Sequence, residues 1–229
     1  MIRISIELSL SLYDFKKYIS AQLNHFFPDN QTIDFQTGIE KVAIDVALDR
    51  TGYCFSRVAL ESYQKNGSAL LNHLHSDQYA VFLWFLSNSV WNENGDTALA
   101  NKIFYLNKSL HGFSCMYDTK LPDIFLLFHT VGTVLGKAQY SDFLIAAQGS
   151  TVGAQNGIYP KLGKGVSLLP HSSIVGSCVI GDRVSVGIGA SVYERNVESG
   201  MVVFKGENGA IGYKAQQKCW AQQFFVDAI

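Results

Sequence analysis

The sequence predicts an α+β chain: a mostly α-helical N-terminal domain with an initial strand over residues 1–120, a parallel β-helix of hexapeptide repeats over 121–206, and a C-terminal tail over 207–229. Two observations lead there. Of the 20 glycines, 14 fall between Gly132 and Gly209, so the chain changes character near residue 120. Beyond that point Leu162, Leu168, Ile174, Ile180, Val186 and Val192 are branched aliphatics at an unbroken spacing of six. An α-helix has a period of 3.6 and a flat strand 2.0, whereas six matches one short strand plus a turn, three of which close a triangular coil.

The N-terminal domain opens on Ile2, Ile4, Ile6, Leu8, Leu10 and Leu12, a strict alternation that predicts a half-buried strand. Helical patterning follows and predicts helices over 14–27, 39–62, 69–91 and 96–110, the first stopped by Pro28. In the repeat region Val166, Ser172, Cys178, Val184 and Ala190 stand two places before the periodic aliphatics, small or β-branched residues suited to a narrow interior. Gly163, Gly181 and Gly187 follow the aliphatics, as tight corners require. A weaker register runs through Tyr140, Ala146 and Val152. The step from Leu135 to Tyr140 is one residue short, and a break at 153–161 predicts a loop thrown out of the coil.

Composition narrows the function classes. With 48% apolar and 16% charged residues in 229, the chain has too much core and too little charge for disorder. Eighteen basic residues against 19 acidic give a net charge of −1, without the basic footprint that nucleic acid or an anionic membrane attracts. Cys54, Cys115, Cys178 and Cys219 are too scattered for a zinc site or a disulfide framework and read as reduced thiols. No apolar run approaches the ~20 residues of a membrane span. A soluble cytoplasmic protein is expected.

Residues 75–206 resemble the serine acetyltransferase branch of the hexapeptide acyltransferases, in particular its relatives associated with sugar and polysaccharide modification. The segment Leu127-Phe128-His129-Thr130-Val131-Gly132-Thr133-Val134-Leu135-Gly136 is similar to that branch's L-D-H-A-T-G-I-V-I-G. Gln148-Gly149-Ser150-Thr151-Val152-Gly153 resembles Q-S-V-T-L-G, and Pro160-Lys161-Leu162-Gly163-Lys164-Gly165-Val166 resembles the P-K-I-x-x-G-V after the branch's extended loop. The resemblance implies a left-handed β-helix, a homotrimer, and acetyl-CoA as co-substrate in the cleft between neighbouring β-helices. It implies no metal.

Within that motif His129 is expected to be the general base: a neutral imidazole takes the proton of an acceptor hydroxyl as it attacks the thioester, a role worth roughly 10²- to 10⁴-fold. The resemblance also implies a carboxylate orienting the imidazole, for which Asp77 is preferred over Asp118 and Asp123. Backbone amides of the 149–153 corner are candidates for the oxyanion site. Thr151, Gly153, Gly187 and Ile188 align with pantetheine contacts of the branch, and Lys205 lies where its tail approaches CoA. Three departures bear on the acceptor. Phe128 stands where the branch has an Asp, Tyr159 where it has a second histidine, and Lys137 where it has a Glu. Those changes remove groups that pair a zwitterion and leave an aromatic surface, so a carbohydrate acceptor is expected, with Phe128 and Tyr159 stacking or hydrogen bonding and Gln148 or Asp77 taking a further hydroxyl.

Competing readings are serine O-acetyltransferase chemistry, N-acetylation of an amino sugar, and a metal-dependent β-helix of the γ-carbonic anhydrase kind. The last needs three converging histidines, yet only His129 and His171 follow residue 120. His73 and His75 form a His-x-His pair without evident further ligands, and capping of the next helix by Ser76 or Asp77 is the simpler role for that segment.

Overall fold

The structure, a computed structural model, describes residues 6–229. Ile2 and Ile4 of the alternating run lie outside them. The N-terminal half comprises β1 (Ile6–Leu8), α1 (Leu12–Phe26), α2 (Gly38–Ser56), β2 (Gln64–Lys65), β3 (Ser68–Leu71), α3 (Ser76–Asn94) and α4 (Thr97–His111). Leu12 opens a helix instead of ending the strand, because Ser11 caps it by accepting the Asp14 N–H at 3.1 Å. Phe15, Ile19 and Leu23 then form its buried stripe at i, i+4, i+8.

Two predicted helices are shorter than expected. The helix over 39–62 stops at Ser56, and the chain after it turns outward so that Ala59 donates to the Phe224 carbonyl at 2.9 Å. The helix over 69–91 begins only at Ser76. Ala69 and Leu71 are instead the buried residues of a strand, paired in parallel with β1 and antiparallel with β2. Asn66 and Gly67, with φ of +52° and +77°, form the turn of that second pairing, and Asn-Gly is the favoured pair for such a hairpin. α3 is enclosed on every side from Tyr79 to Val90, so its apolar residues show no stripe.

The C-terminal half coils through β4 (Phe125–Phe128), β5 (Val134–Leu135), β6 (Leu144–Ala147), β7 (Thr151–Gly153), β8 (Lys161–Leu162), β9 (Ser167–Leu168), β10 (Ser173–Val175), β11 (Val179–Ile180), β12 (Ser185–Val186), β13 (Ser191–Tyr193) and β14 (Met201–Lys205). β15 (Ile211–Ala215) returns antiparallel to β14. The coil has three parallel faces, β5-β7-β10-β13, β8-β11 and β4-β6-β9-β12-β14. This is a left-handed β-helix of about four turns. Leu162 lies on Ile180, Leu168 on Val186 and Ile174 on Val192, so one full coil is 18 residues. All six periodic aliphatics are at most 2% exposed, as are the five residues two places before them. Val152 sits on Ile174, a coil of 22, so the interruption at 153–161 is a four-residue excess closed by a Gln155–Ile158 bridge, not an extended loop. Leu135 sits on Val152, 17 residues on, which is the one-residue shortfall seen in the sequence.

The two halves share one apolar core. Phe125 of β4 meets Trp84 at 5.6 Å and Phe85 at 5.4 Å, and the Cys54 thiol donates to the Phe125 carbonyl at 3.2 Å. Burial pushes that thiol up to about 12, which makes it inert at neutral pH. Beyond β15 the tail crosses back to the helical half. Val226 donates to the Arg57 carbonyl at 2.9 Å, Arg57 pairs with Asp227, and Phe225 is 3% exposed with its ring 5.1 Å from that of Phe143. The tail therefore fastens one half to the other. Phe225→Ala is expected to lower unfolding stability by about 3–5 kcal/mol in chemical denaturation; an unchanged midpoint would make the tail dispensable.

Candidate functional site

β4 ends at Phe128, and His129 begins the corner that carries the chain to β5. Leu127 pairs with Ala146, while Gly132 lies on Gly149, so this corner holds two more residues than the one beneath it. His129 adopts φ +51°, the left-handed region that costs a non-glycine residue about 1–2 kcal/mol. The helical half holds it there. The Asp77 carboxylate, on the first turn of α3 and 6% exposed, accepts the His129 backbone N–H at 3.0 Å. Thr130 donates its hydroxyl to the His111 carbonyl at the end of α4 at 2.9 Å, and Gly132 N–H binds the Gly112 carbonyl at 3.1 Å.

Asp77 and His129 are thus brought together, though not as predicted. The carboxylate meets the main chain instead of the imidazole, because α3 delivers it beneath the corner. Its Oδ1 is buried with no hydrogen-bond partner. Beside it, His111 is buried with Nδ1 2.8 Å from Asn107 Oδ1; burial lowers its pKa, and the charge of Asp77 opposes that shift.

Below His129 runs a column of left-handed residues: Gly132, Gly149, His171 and Gly189, with φ of +76°, +66°, +60° and +63°. The small buried residues Thr133, Ser150, Ser172 and Ala190 follow them. His171 is the non-glycine, and its ring lies over the Gly149 Cα, in the space a side chain at 149 would need. On the outer side of the edge Val131 and Ile188 are 73% and 67% exposed.

Gln148 and Thr151 flank Gly149 on this edge. Gly187 and Ile188 lie on the rung of Gly189, where a Cβ at Gly187 would come within 2.9 Å of the Val203 carbonyl. Lys205 follows Val203 on the next strand, exposed. Gly153 and Tyr159 stand apart, across the face that contains β7. Tyr159 is 50% exposed near Lys137, whose ammonium pairs with Asp118 at 2.7 Å.

The half-buried Phe128 ring packs on Phe224 at 5.0 Å, with Trp220 against Phe224, so the tail covers part of the surface expected to stack on an acceptor. The 149–153 corner offers few spare amides, since Gly149 donates to Val131, Ser150 to Ala147 and Thr151 to Ser172. Three of its five amides are thus engaged, and His171 is a further side chain on this edge. Its signal in the sequence was a histidine at a corner position where the neighbouring rungs carry glycine.

His73 and His75 are engaged locally. His73 Nδ1 lies 2.7 Å from Ser9 Oγ, and His75 itself, instead of Ser76 or Asp77, caps α3 through Nδ1 and the Gln78 N–H. Among the described residues no three His, Cys, Asp or Glu side chains are grouped to hold a metal ion. No described helix is long and apolar enough to cross a membrane.

Solved structures share this arrangement of helices and coil. A serine acetyltransferase solved with CoA superimposes with a TM-score of 0.64 at 17% identity, over 84% of this chain and 82% of that one. Another, solved with cysteine, gives 0.62 at 18% identity over 90% and 81%. The chain has the serine acetyltransferase fold. The Neisseria gonorrhoeae serine acetyltransferase matches at 20% identity with a TM-score of 0.55, over 64% of this chain and 58% of that one, so the match spans little more than half of the gonococcal protein. No protein-family model matches the chain, and no curated protein does.

Two predictions follow from the corner. Gly149→Ala meets both an unfavourable φ and the His171 ring, so it should cost at least about 1 kcal/mol. Part of that loss should return in the Gly149→Ala/His171→Gly double variant, and strict additivity in thermal unfolding would mean the ring does not press on residue 149. The second concerns pH. His111 has a folded pKa below its unfolded one, so its stabilisation is present above the ordinary histidine range and is lost as pH falls through the folded value. Stability measured from pH 7 to 5 should fall, less steeply in His111→Gln; identical slopes would show that another group titrates.

Proposed function

We propose that the chain is an acetyl-CoA-dependent O-acetyltransferase that moves an acetyl group directly to a sugar hydroxyl of a polysaccharide or its precursor. The observation that carries this reading is His129, exposed on a left-handed turn that Asp77 pins through the main chain, at the head of an edge lined by Gln148, Thr151, His171 and Ile188. The similar serine acetyltransferase solved with CoA supports the co-substrate.

The His129 imidazole removes the acceptor hydroxyl proton while the oxygen attacks the thioester carbonyl. The tetrahedral intermediate collapses with C–S cleavage, and the imidazolium returns the proton to the departing thiolate. Asp77 acts as a positioning residue: by accepting the backbone N–H it fixes the turn that presents the ring. His171 supplies a donor for the oxyanion. Thr151, Gly187 and Ile188 line the path of the pantetheine arm, with Lys205 toward a phosphate and Gly153 at its margin.

A homotrimer is part of the same proposal. Tyr159 and His129 occupy opposite ends of the β5-β7-β10-β13 face in one chain, so Tyr159 joins the transfer site only from a neighbouring subunit. The absence of a paired charge at Phe128 favours a carbohydrate over free serine, whose ammonium and carboxylate would need partners. A serine acceptor is the second reading, favoured by the Neisseria gonorrhoeae serine acetyltransferase solved with serine.

His129→Ala should lower kcat by about 100-fold or more while acetyl-CoA binding changes little. Retention of more than about a tenth of the activity would assign the base elsewhere. CoA release should be stimulated by glycans or nucleotide sugars and not by L-serine; robust O-acetylserine formation would restore the second reading.

A further inference from the structure

A cavity of about 480 Å3 lies away from the His129 edge between α2, α3 and the segment that joins α4 to the β-helix. Its volume is within the ~300–1,000 Å3 of small-molecule sites. On its floor Arg50 of α2 donates to Asn88 Oδ1 at 2.7 Å and Ser89 Oγ at 3.0 Å, with its guanidinium 4.7 Å from the Phe85 ring centre. Among the described residues no carboxylate comes within ion-pair distance of Arg50. Asn88 is 6% exposed and Asn92 donates to it at 3.0 Å, which makes a connected polar floor.

The walls are of two kinds. Trp91 is 36% exposed, and its ring lies tilted against that of Tyr117, their centres 6.1 Å apart. Opposite it the linker contributes Asp118, Lys120 and Asp123. Asp118 spends Oδ2 on Lys137, while Oδ1 is buried without a hydrogen-bond partner.

Charge decides the ligand class. Arg50, Lys120 and Lys137, the last paired with Asp118, are matched by Asp118, Asp123 and Glu93, the last two acting on Arg50, so neither an anion nor a cation meets a net opposite charge. A neutral molecule with many hydroxyls needs none. Planar amides, carboxylates and a guanidinium each bind neighbouring hydroxyls in pairs, and an indole face covers the apolar C–H side of a sugar ring.

We infer that this cavity is a saccharide-binding site, seating a neutral sugar ring against Trp91 with its hydroxyls on Asn92, Asp118 and the Arg50–Asn88 floor. As the seat of the acceptor it rests on the transferase reading, since Lys137 ties the cavity wall to the Tyr159 corner. As a saccharide site it stands independently.

The experiment is saturation-transfer NMR and calorimetry on the full chain with neutral oligosaccharides built from glucose, galactose and N-acetylhexosamines, with citrate as an anionic probe. The expected result is binding of at least one saccharide, weakened about tenfold or more by Trp91→Ala and by Asn92→Ala at unchanged melting temperature. Citrate bound in preference and lost in those variants would make the cavity an anion site and overturn the inference, as would no saccharide binding. Saccharide binding lost in both variants, but without any acetyl transfer, would keep this site and remove the transferase reading. Glycan-stimulated transfer with an acceptor KM unmoved by either variant would keep the transferase and overturn this cavity as the seat of the acceptor.

Discussion

Each coil of the β-helix has to turn the edge that carries His129 with left-handed backbone, and that steric demand organises the surroundings of the site. Glycine meets it at 132, 149 and 189, whereas His129 and His171 meet it with side chains attached. Left-handed backbone costs each of them about 1–2 kcal/mol, so the surrounding structure must over-determine the turn. At His129 the restraint is the buried Asp77 carboxylate. Leaving a buried charge unpaired is expensive, so the contact is mutual: the carboxylate needs the amide as much as the turn needs the carboxylate. At His171 the restraint is packing, since the ring occupies space that Gly149 leaves open.

This dependence explains why helices and coil share a core. Asp77 reaches His129 only if α3 is fixed against β4, which the Trp84, Phe85 and Phe125 rings accomplish. The tail adds a second fastening from Arg57 to Val226 and from Phe143 to Phe225. The helical half is therefore a scaffold for the geometry of the corner.

Much of the coil was legible in the sequence, because a solenoid repeats its local environment and so writes its period into the chain. The six aliphatics and the five residues two places before them are interior. Gln148, Thr151, Gly187, Ile188 and Lys205, expected from the resemblance and not from the period, lie along the edge below His129. What was hidden depends on contacts between distant residues. The tail packs on Phe128, and nothing near residue 128 announces Phe224. Asp77 was identified as a partner of His129, but whether it met ring or backbone depended on the depth at which α3 passes beneath the corner. The strand at 68–71 was missed for a local reason: its apolar residues also fit a helix, and the Asn66-Gly67 turn that decides the matter was not weighed.

The central claim is that one edge of the β-helix, from His129 down to Lys205, binds the acyl donor. Hydrogen–deuterium exchange of the full chain with and without CoA tests it directly. Added protection is expected in peptides covering 128–133, 148–152, 170–173 and 187–191, with the cavity at Arg50 and Trp91 unchanged. Protection confined to other faces, or none at saturating CoA, would contradict the account.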